Sequence, residues 1–396
     1  MVIWAIGMDV HKDTCTARIL CGEYGKSSKR IDDFIESFDT KFRRFPSGAS
    51  EFLEMARFMK DKDCHILIEN STKSHEVYWI LRSLGFDVTV AHATDLNRIT
   101  SSVKKTDRND AYELASYMRR RLNGEIEFAE SFIPSHDWMR RREICRYLAD
   151  EKSELTVTKK QIRAYLLLHG MHTRREYRDI TSKGAISELM GFKDTVLSLY
   201  LKRVEHLKAR IGFTEKAIMS DFMNIPIFRT IYSMVGAGIL TSAYLTSLIV
   251  DIGRFSSKKS FSASFGLTPK LRDSGDSEPE CGITRRGDAL ARRLIYQMTF
   301  VHIHFEKDSF VTRKYHRLKA RGKKHNEVLV ACSNSLLHIL YIMLIENRGY
   351  ISDPDVLKES RNKAEMLVES EEDVTEMDPL EDDRSSLIRC DDTFGR

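Results

Sequence analysis

Apolar and polar positions divide the chain into stretches of different period. Residues 2–8 (Val-Ile-Trp-Ala-Ile-Gly-Met) are apolar and β-prone and stop at Asp9, which predicts a buried strand with an acid at its end. Residues 14–21 alternate and predict a second strand, residues 22–28 a turn, and Lys29 to Phe38 a third strand. Phe52, Leu53, Met55, Ala56 and Met59 recur at helical spacing within 48–60. The run His65-Ile66-Leu67-Ile68-Glu69 is a short buried strand, again closed by an acid. A helix over 74–84 closed by Gly85, a strand over 86–91 and a helix within 104–122 complete the unit. Three strands followed by alternating helices and strands suggest an α/β domain of RNase H type, over about residues 1–135.

From 136 to 220 the pattern changes. Apolar residues step by three and four (Leu148, Leu155, Ile162, Leu166; then Leu197, Leu201, Val204, Leu207, Ile211) among many charges. Two long helices broken near Gly170 to Gly191 would form an antiparallel arm, either a coiled-coil linker that binds a partner or a solvated helical spacer. Residues 221–350, opening at Asn224-Ile225-Pro226, predict a mostly helical C-terminal domain. Its most apolar stretch, Val328 to Ile345, is interrupted by Ser333, Asn334, Ser335 and His338, so it reads as a buried helix and no membrane span is expected. Residues 351–396 are acidic, and disorder is expected there.

Composition sharpens this picture in one respect. The chain has 396 residues and a net charge of only +5. Residues 351–396 nevertheless carry 15 Asp/Glu against 6 Lys/Arg, which leaves 57 basic and 43 acidic side chains on the rest. A basic body points to a polyanionic partner such as nucleic acid. The seven scattered cysteines show no metal-ligand spacing, and the first residues lack the features of a signal peptide; a reducing cytoplasm is expected.

Six constellations could carry chemistry. Asp9 and Glu69 close two apolar strands that are commonly neighbours in such a sheet; each alone could simply start a turn. Asp107 and Asp110 have a spacing that shares one helix face, although acids in a first turn capped by Thr106 also suit the helix dipole. Together the four carboxylates offer the hard oxygen ligands of a two-Mg2+ site, where Mn2+ could substitute, with ions ~3.5–4 Å apart on a phosphodiester. Gly236 and Gly238 form a Gly-x-Gly turn that either presents N–H groups to a phosphate or is a tight interhelical turn. Ser274, before Gly275 and near Lys270 and Arg272, is a nucleophile candidate or a plain turn residue. Finally, 285–324 holds 12 Lys/Arg against three acids, including Arg285, Arg286, Arg292, Arg293, Lys323 and Lys324, with Tyr296, Phe300, Phe305, Phe310 and Tyr315 interleaved. This is a nucleic-acid-binding pattern or a solvated face.

In order, these pieces resemble the DEDD-type insertion-sequence transposases, a family that also includes site-specific DNA invertases. The resemblance is carried by Ile6-Gly7-Met8-Asp9-Val10-His11-Lys12 and by Lys105-Thr106-Asp107 with Asp110-Ala111 and Leu114-Ala115. Asp251-Ile252-Gly253-Arg254-Phe255 and Phe265-Gly266-Leu267-Thr268-Pro269 with Ser274-Gly275 extend it, so that it covers about residues 1–350. It implies a RuvC-like RNase H fold with Asp9, Glu69, Asp107 and Asp110 as its acids, a coiled-coil linker, and a C-terminal domain with Ser274 as nucleophile. It further implies a homo-oligomer (dimer or tetramer) acting on donor and target DNA under a structured guide RNA, the bridge RNA of the element. The sequence departs from the family at Asn70-Ser71-Thr72-Lys73 after the glutamate and at Val235 before the Gly-x-Gly turn. The expected activity is transposition through a phosphoserine intermediate. The rivals are an invertase of the same family, a hydrolytic junction nuclease that needs only the acids, and a non-catalytic nucleic-acid scaffold.

Overall fold

A computed structural model of the chain describes residues 2–91, 107–128, 130–268 and 287–351. Two units are distinguished, Met1–Ser135 and His136–Arg396.

The first unit is built on β1 (Ile3–Val10), β2 (Thr14–Cys21), β3 (Phe45–Pro46), β4 (Asp63–Glu69) and β5 (Asp87–Ala91), in the order β3-β2-β1-β4-β5. β1 and β2 are antiparallel, whereas β4 and β5 run parallel to β1, in keeping with the RNase H-type expectation. Strand alternation sorts side chains to two faces. Trp4, Ile6, Met8, Ile66, Ile68, Val88 and Val90 pack with Phe38, Phe52, Met55, Val77 and Leu81. These partners come from α1 (Lys29–Lys41), α2 (Ala49–Phe58) and α3 (Ser74–Ser83). Ala5, Leu67 and Ala91 face the other way, onto Leu114, Tyr117 and Met118 of α4 (Asp107–Leu122).

One expected strand is a helix. Lys29 to Phe38 forms most of α1, capped by Ser28, whose hydroxyl accepts from the Ile31 N–H. Ile31, Phe34, Ile35 and Phe38 recur at three- and four-residue steps, and that period prevails over local β-propensity because it points one stripe at the core. The edge of β2 is covered mostly by the end of this helix. Ala17 N–H donates to Phe42 O at 3.1 Å and Ile19 N–H to Asp39 Oδ1 at 3.3 Å. The true third strand is only two residues long and follows the helix.

In the second unit α5 (His136–Leu168) and α7 (Thr195–Phe222) lie antiparallel, with α6 (Lys183–Met190) between them in sequence. Arg141 meets Asp221 near one end, Arg203 meets Glu154 further along, and Tyr165 OH donates to Asp194 at the other end. Buried Glu151 is paired with Arg210 at 2.9 Å and accepts from Thr214. Cys145, Leu148, Ile218 and Phe222, near one end of the pair, belong to the same core as the helices that follow. These are α8 (Pro226–Tyr232), α9 (Ile239–Ile249), α10 (Lys258–Ser264), α11 (Ala289–Phe305), α12 (Phe310–Ala320) and α13 (His325–Ile345). The apolar α13 is long enough to cross a membrane. Here it lays Val328, Leu329, Cys332, Leu336, Leu340 and Met343 into the core, as its interrupting polar residues suggested.

Candidate active site

The parallel register of β1 and β4 pairs Met8 with Ile68, so the next positions, Asp9 and Glu69, are neighbours at the same end of the sheet. Adjacent strands are about 4.8 Å apart. Both acids have the parity of Ala5 and Leu67, which places them on the face that α4 covers. Thr16 stands opposite Asp9 on β2. The Asp9 carboxylate also meets His11 Nε2 at 3.3 Å. Burial first, and then the Asp9 charge, push the Cys15 thiol up to about 12, while Lys73 opposes them.

Gly7 explains how α4 reaches this corner. A Cβ at Gly7 would lie 2.1 Å from Ala115 N and 2.2 Å from Ala111 O. The helix backbone therefore rests directly on the strand, as a glycine inside a strand often signals. The direction of α4 follows from its end. Asn123 Nδ2 donates to Gly22 O at 2.6 Å, and Gly22 N–H donates to Ile3 O, at the start of β1. The beginning of α4 thus lies toward Asp9. From Gly7 to Asp9 is about 6.6 Å of strand, and from Ala111 back to Asp107 is about 6 Å of helix. Asp107 and Asp110 are in the first turn of α4, on the Asp9 side of the contact at Gly7. The Asp107 side chain lies outside the described residues, and among those described no three His, Cys, Asp or Glu side chains form a metal-binding group. The donor chemistry is nevertheless that of a hard cation, with carboxylate oxygens only.

The departure after Glu69 has a local resolution. Asn70 N–H extends the ladder to Ala91 O at 2.9 Å, and the Ser74 hydroxyl closes the turn by accepting from Ser71 N–H and donating to Ser71 O.

Ser274, Lys270, Arg272, Arg285 and Arg286 lie outside the described residues, within 269–286. The two ends of that segment are described and meet. At Gly287, with φ +85°, a Cβ would come 2.2 Å from Ser264 O. Arg292 Nη1 donates to Gly287 O at 2.9 Å and reaches Phe265 O at 3.5 Å. Asp288 caps α11 through Ala291 N–H and accepts from Tyr244 OH at 2.8 Å, with Arg146 of α5 at 3.4 Å. Burial works against the Asp288 charge, but the Ala291 N–H, Tyr244 and Arg146 outweigh it and hold its carboxyl below the ordinary range. Burial, and then the bond to Asp288, push the Tyr244 hydroxyl up to about 12. Of these anchoring residues the sequence singles out only Phe265, within its motif, and Arg292, as a candidate phosphate contact.

Comparison with known proteins matches two stretches of the chain to transposase families. Residues 6–171 match the DEDD-type transposase family of IS110 elements, and residues 229–325 match "Transposase IS116/IS110/IS902 family". The chain belongs to the IS116/IS110/IS902 transposase family. It is 22% identical to "Putative transposase y4qE" of Sinorhizobium fredii over 87% of this chain and 89% of that one. It is 24% identical to "Transposase for insertion sequence element IS1111A" of Coxiella burnetii, over 62% and 68%. It is 29% identical to "Insertion element IS900 uncharacterized 42 kDa protein" of Mycobacterium paratuberculosis, over 39% of each.

In this transposase the Gly-x-Gly turn has a packing reason. At Gly236, with φ +93°, a Cβ would lie 2.5 Å from Met298 O, so the glycine lets the turn seat against α11. Gly238 is exposed and opens α9. Arg293, Lys323 and Lys324 are exposed, and among the described residues none of them makes an ion pair. They suit phosphate contact better than Arg292, whose guanidinium is engaged by backbone carbonyls.

Proposed function

We propose that this chain carries out transposition of its own insertion element by cutting and rejoining DNA, with the four acids and Ser274 as its chemical groups. The observation that carries the reading is the corner formed by Asp9 and Glu69 on neighbouring strands, beneath a helix that begins with Asp107 and Asp110 and is seated on Gly7. In this reading Asp9, Glu69, Asp107 and Asp110 hold divalent cations, Mg2+ with Mn2+ as a substitute. Such ions, when bound, offset the charge that builds on a phosphodiester. The Ser274 oxygen bonds to phosphorus as the bond to the leaving deoxyribose oxygen breaks, and its proton passes to a base. The phosphoserine so formed conserves the bond for rejoining. Lys270 and Arg272 orient the phosphate and balance its charge. Arg292, Gly287 and Asp288 give the segment bearing Ser274 one firm footing.

Guidance by a structured bridge RNA, action as a dimer or tetramer, an antiparallel coiled coil as linker and a cytoplasmic setting belong to the same reading and rest on the family resemblance. The test is a nicked DNA substrate bearing the element's ends, incubated with the full chain, Mg2+ and the element's non-coding RNA, and resolved on a denaturing gel. A protein–DNA adduct is expected. Ser274→Ala should lose the adduct and recombination. Asp9→Asn should lose both and still bind duplex DNA. Recombination by Ser274→Ala at the normal rate would refute the serine mechanism and move the nucleophile to water, and strand cleavage without rejoining or adduct in the unaltered chain would make it a hydrolytic nuclease.

A further inference from the structure

Three helices of the C-terminal unit place a set of rings at one exposed surface. Arg293, Gln297, Phe300 and His304 follow one another at i, i+4, i+7 and i+11 along α11, and all four are exposed. Phe300 is 41% exposed although it is a large apolar side chain. The His304 ring lies 4.2 Å from the Phe300 ring, centroid to centroid, and His304 Nδ1 bonds to Phe300 O at 2.8 Å. From the start of α13, His325 approaches Phe300 edge-on at 6.4 Å. His325 Nδ1 and Tyr315 OH of α12 are hydrogen-bonded at 2.9 Å, and these two rings are 5.9 Å apart and nearly perpendicular. Tyr296 OH donates to Asn326 Oδ1 at 3.0 Å, which ties α11 to α13 beside them. Lys323 and Lys324 immediately precede His325.

This is an unusual use of apolar surface. A core has no need of Phe300 in this place, since its neighbours Met298, Thr299, His302 and Ile303 are the buried ones. His304 is tied to the Phe300 carbonyl of its own helix and His325 to Tyr315 of a neighbouring one, and Phe300 lies against both rings, so little side-chain freedom remains to be lost when something stacks on them. Cations from α11 and from the turn before α13 flank the rings. A surface for a second protein chain would be more continuously apolar and poorer in lysine. Flat rings between cations match the chemistry of unpaired nucleotides, which offer a π-face and a phosphate at every residue. A duplex has its base faces already stacked and offers only the phosphates.

We propose that Phe300, with His304 and His325 beside it, is a stacking platform for unpaired bases of the DNA, and that Arg293, Lys323 and Lys324 hold the phosphates of the same strand. The inference rests on the reading of the chain as a DNA recombinase and deepens it, since it identifies opened DNA strands as what this surface takes.

The test uses the full-length chain, without cleavage, and a fluorescent oligothymidylate of about a dozen nucleotides. Stacking on one ring contributes about 1–3 kcal/mol, so Phe300→Leu, which keeps an apolar side chain but removes the ring, should weaken binding about 5- to 150-fold. Phe300→Trp should restore it. Neither should alter the salt slope or the affinity for a duplex of the same length. Wild-type affinity in Phe300→Leu overturns the platform. An equal loss on duplex DNA overturns it too, because it would place the ring at a backbone contact. A loss confined to oligouridylate would assign the surface to RNA and overturn the choice of DNA. A change of oligomeric state on sedimentation, with nucleic-acid affinity unchanged, would make the face an interface between copies. Failure of the wild-type chain to bind any nucleic acid would sink the proposed function itself, and is distinguishable from all of these.

Discussion

Adding one methyl group at Gly7 should separate the acid corner from the rest of the fold. In Gly7→Ala the new Cβ would sit 2.1 Å from Ala115 N and 2.2 Å from Ala111 O. Carbon–oxygen contacts ordinarily begin near 3.3 Å. Helix α4 would have to retreat by about 1 Å, because the obstructing atoms are backbone and cannot rotate away. Overpacking of this kind costs about 1–3 kcal/mol, and the rigid neighbours put the expectation at the upper end. The same retreat moves the start of α4 relative to Asp9 and Glu69. A misplacement of about 1 Å in a catalytic arrangement can cost about a hundredfold in rate. The assay has two arms on the full chain. Urea unfolding is followed by tryptophan fluorescence, to which Trp4 and Trp79 report from the N-terminal unit and Trp138 from the other. Strand cleavage is followed in parallel. Gly212→Ala is the control: Gly212 lies inside α7 with open space where a Cβ would go. That change should stabilise by about 0.5–1 kcal/mol and leave cleavage alone. A Gly7→Ala protein as stable as wild type and cleaving within a few-fold of its rate would refute the close seating of α4 and its role in presenting Asp107 and Asp110.

Other expectations concern the C-terminal unit. Asp288→Asn should lower the unfolding midpoint at neutral pH, since Asp288 caps α11 and accepts from Tyr244. Its carboxyl is held below the ordinary range in the folded chain, so its contribution is complete above the unfolded value near 4 and is lost as pH falls through the folded one. The gap between wild type and Asp288→Asn in thermal scans should therefore close below about pH 4, and a gap unchanged down to pH 2 would contradict the assignment. Each phosphate contact contributes about 0.9 to the slope of log affinity against log salt on duplex DNA. Arg293→Ala, Lys323→Ala and Lys324→Ala combined should flatten that slope by nearly 3, whereas Arg292→Lys should leave it unchanged and reduce adduct yield. A slope that responds to Arg292 and not to the other three would reverse the division of labour between them.

Four of the five strands, the two long helices and the buried apolar α13 were legible because each rests on a local period in the chain. Lys29 to Phe38 was misread because Ile31, Phe34, Ile35 and Phe38 satisfy both a β-prone composition and a helical stripe, and only the core behind them decides. The setting of Arg292 was not legible for a different reason. Arginines in a basic run look alike, and what distinguishes this one is the approach of Phe265 O and Gly287 O, a meeting of chain segments that the spacing of charges does not encode.

The four acids were legible as residue types at the ends of elements, but not as a site. Asp9 and Glu69 become neighbours through the β1–β4 register, and that follows from apolar runs that end in step. In the proposed site the other two acids come above them only because a helix lies on the sheet without intervening side chains. Small residues provide this: Gly7 on the strand, with Ala111 and Ala115 one helical turn apart on α4. A larger residue at Gly7 would lift the helix, and with it Asp107 and Asp110, while leaving every carboxylate in the sequence. The pattern was present in the chain as a glycine inside a strand and two alanines four apart. It carries the geometry of the site more directly than the acids do, because acids at element ends also arise from capping and turns, whereas a backbone-to-backbone contact at 2.1 Å from a missing Cβ has a single consequence: only glycine can stand there.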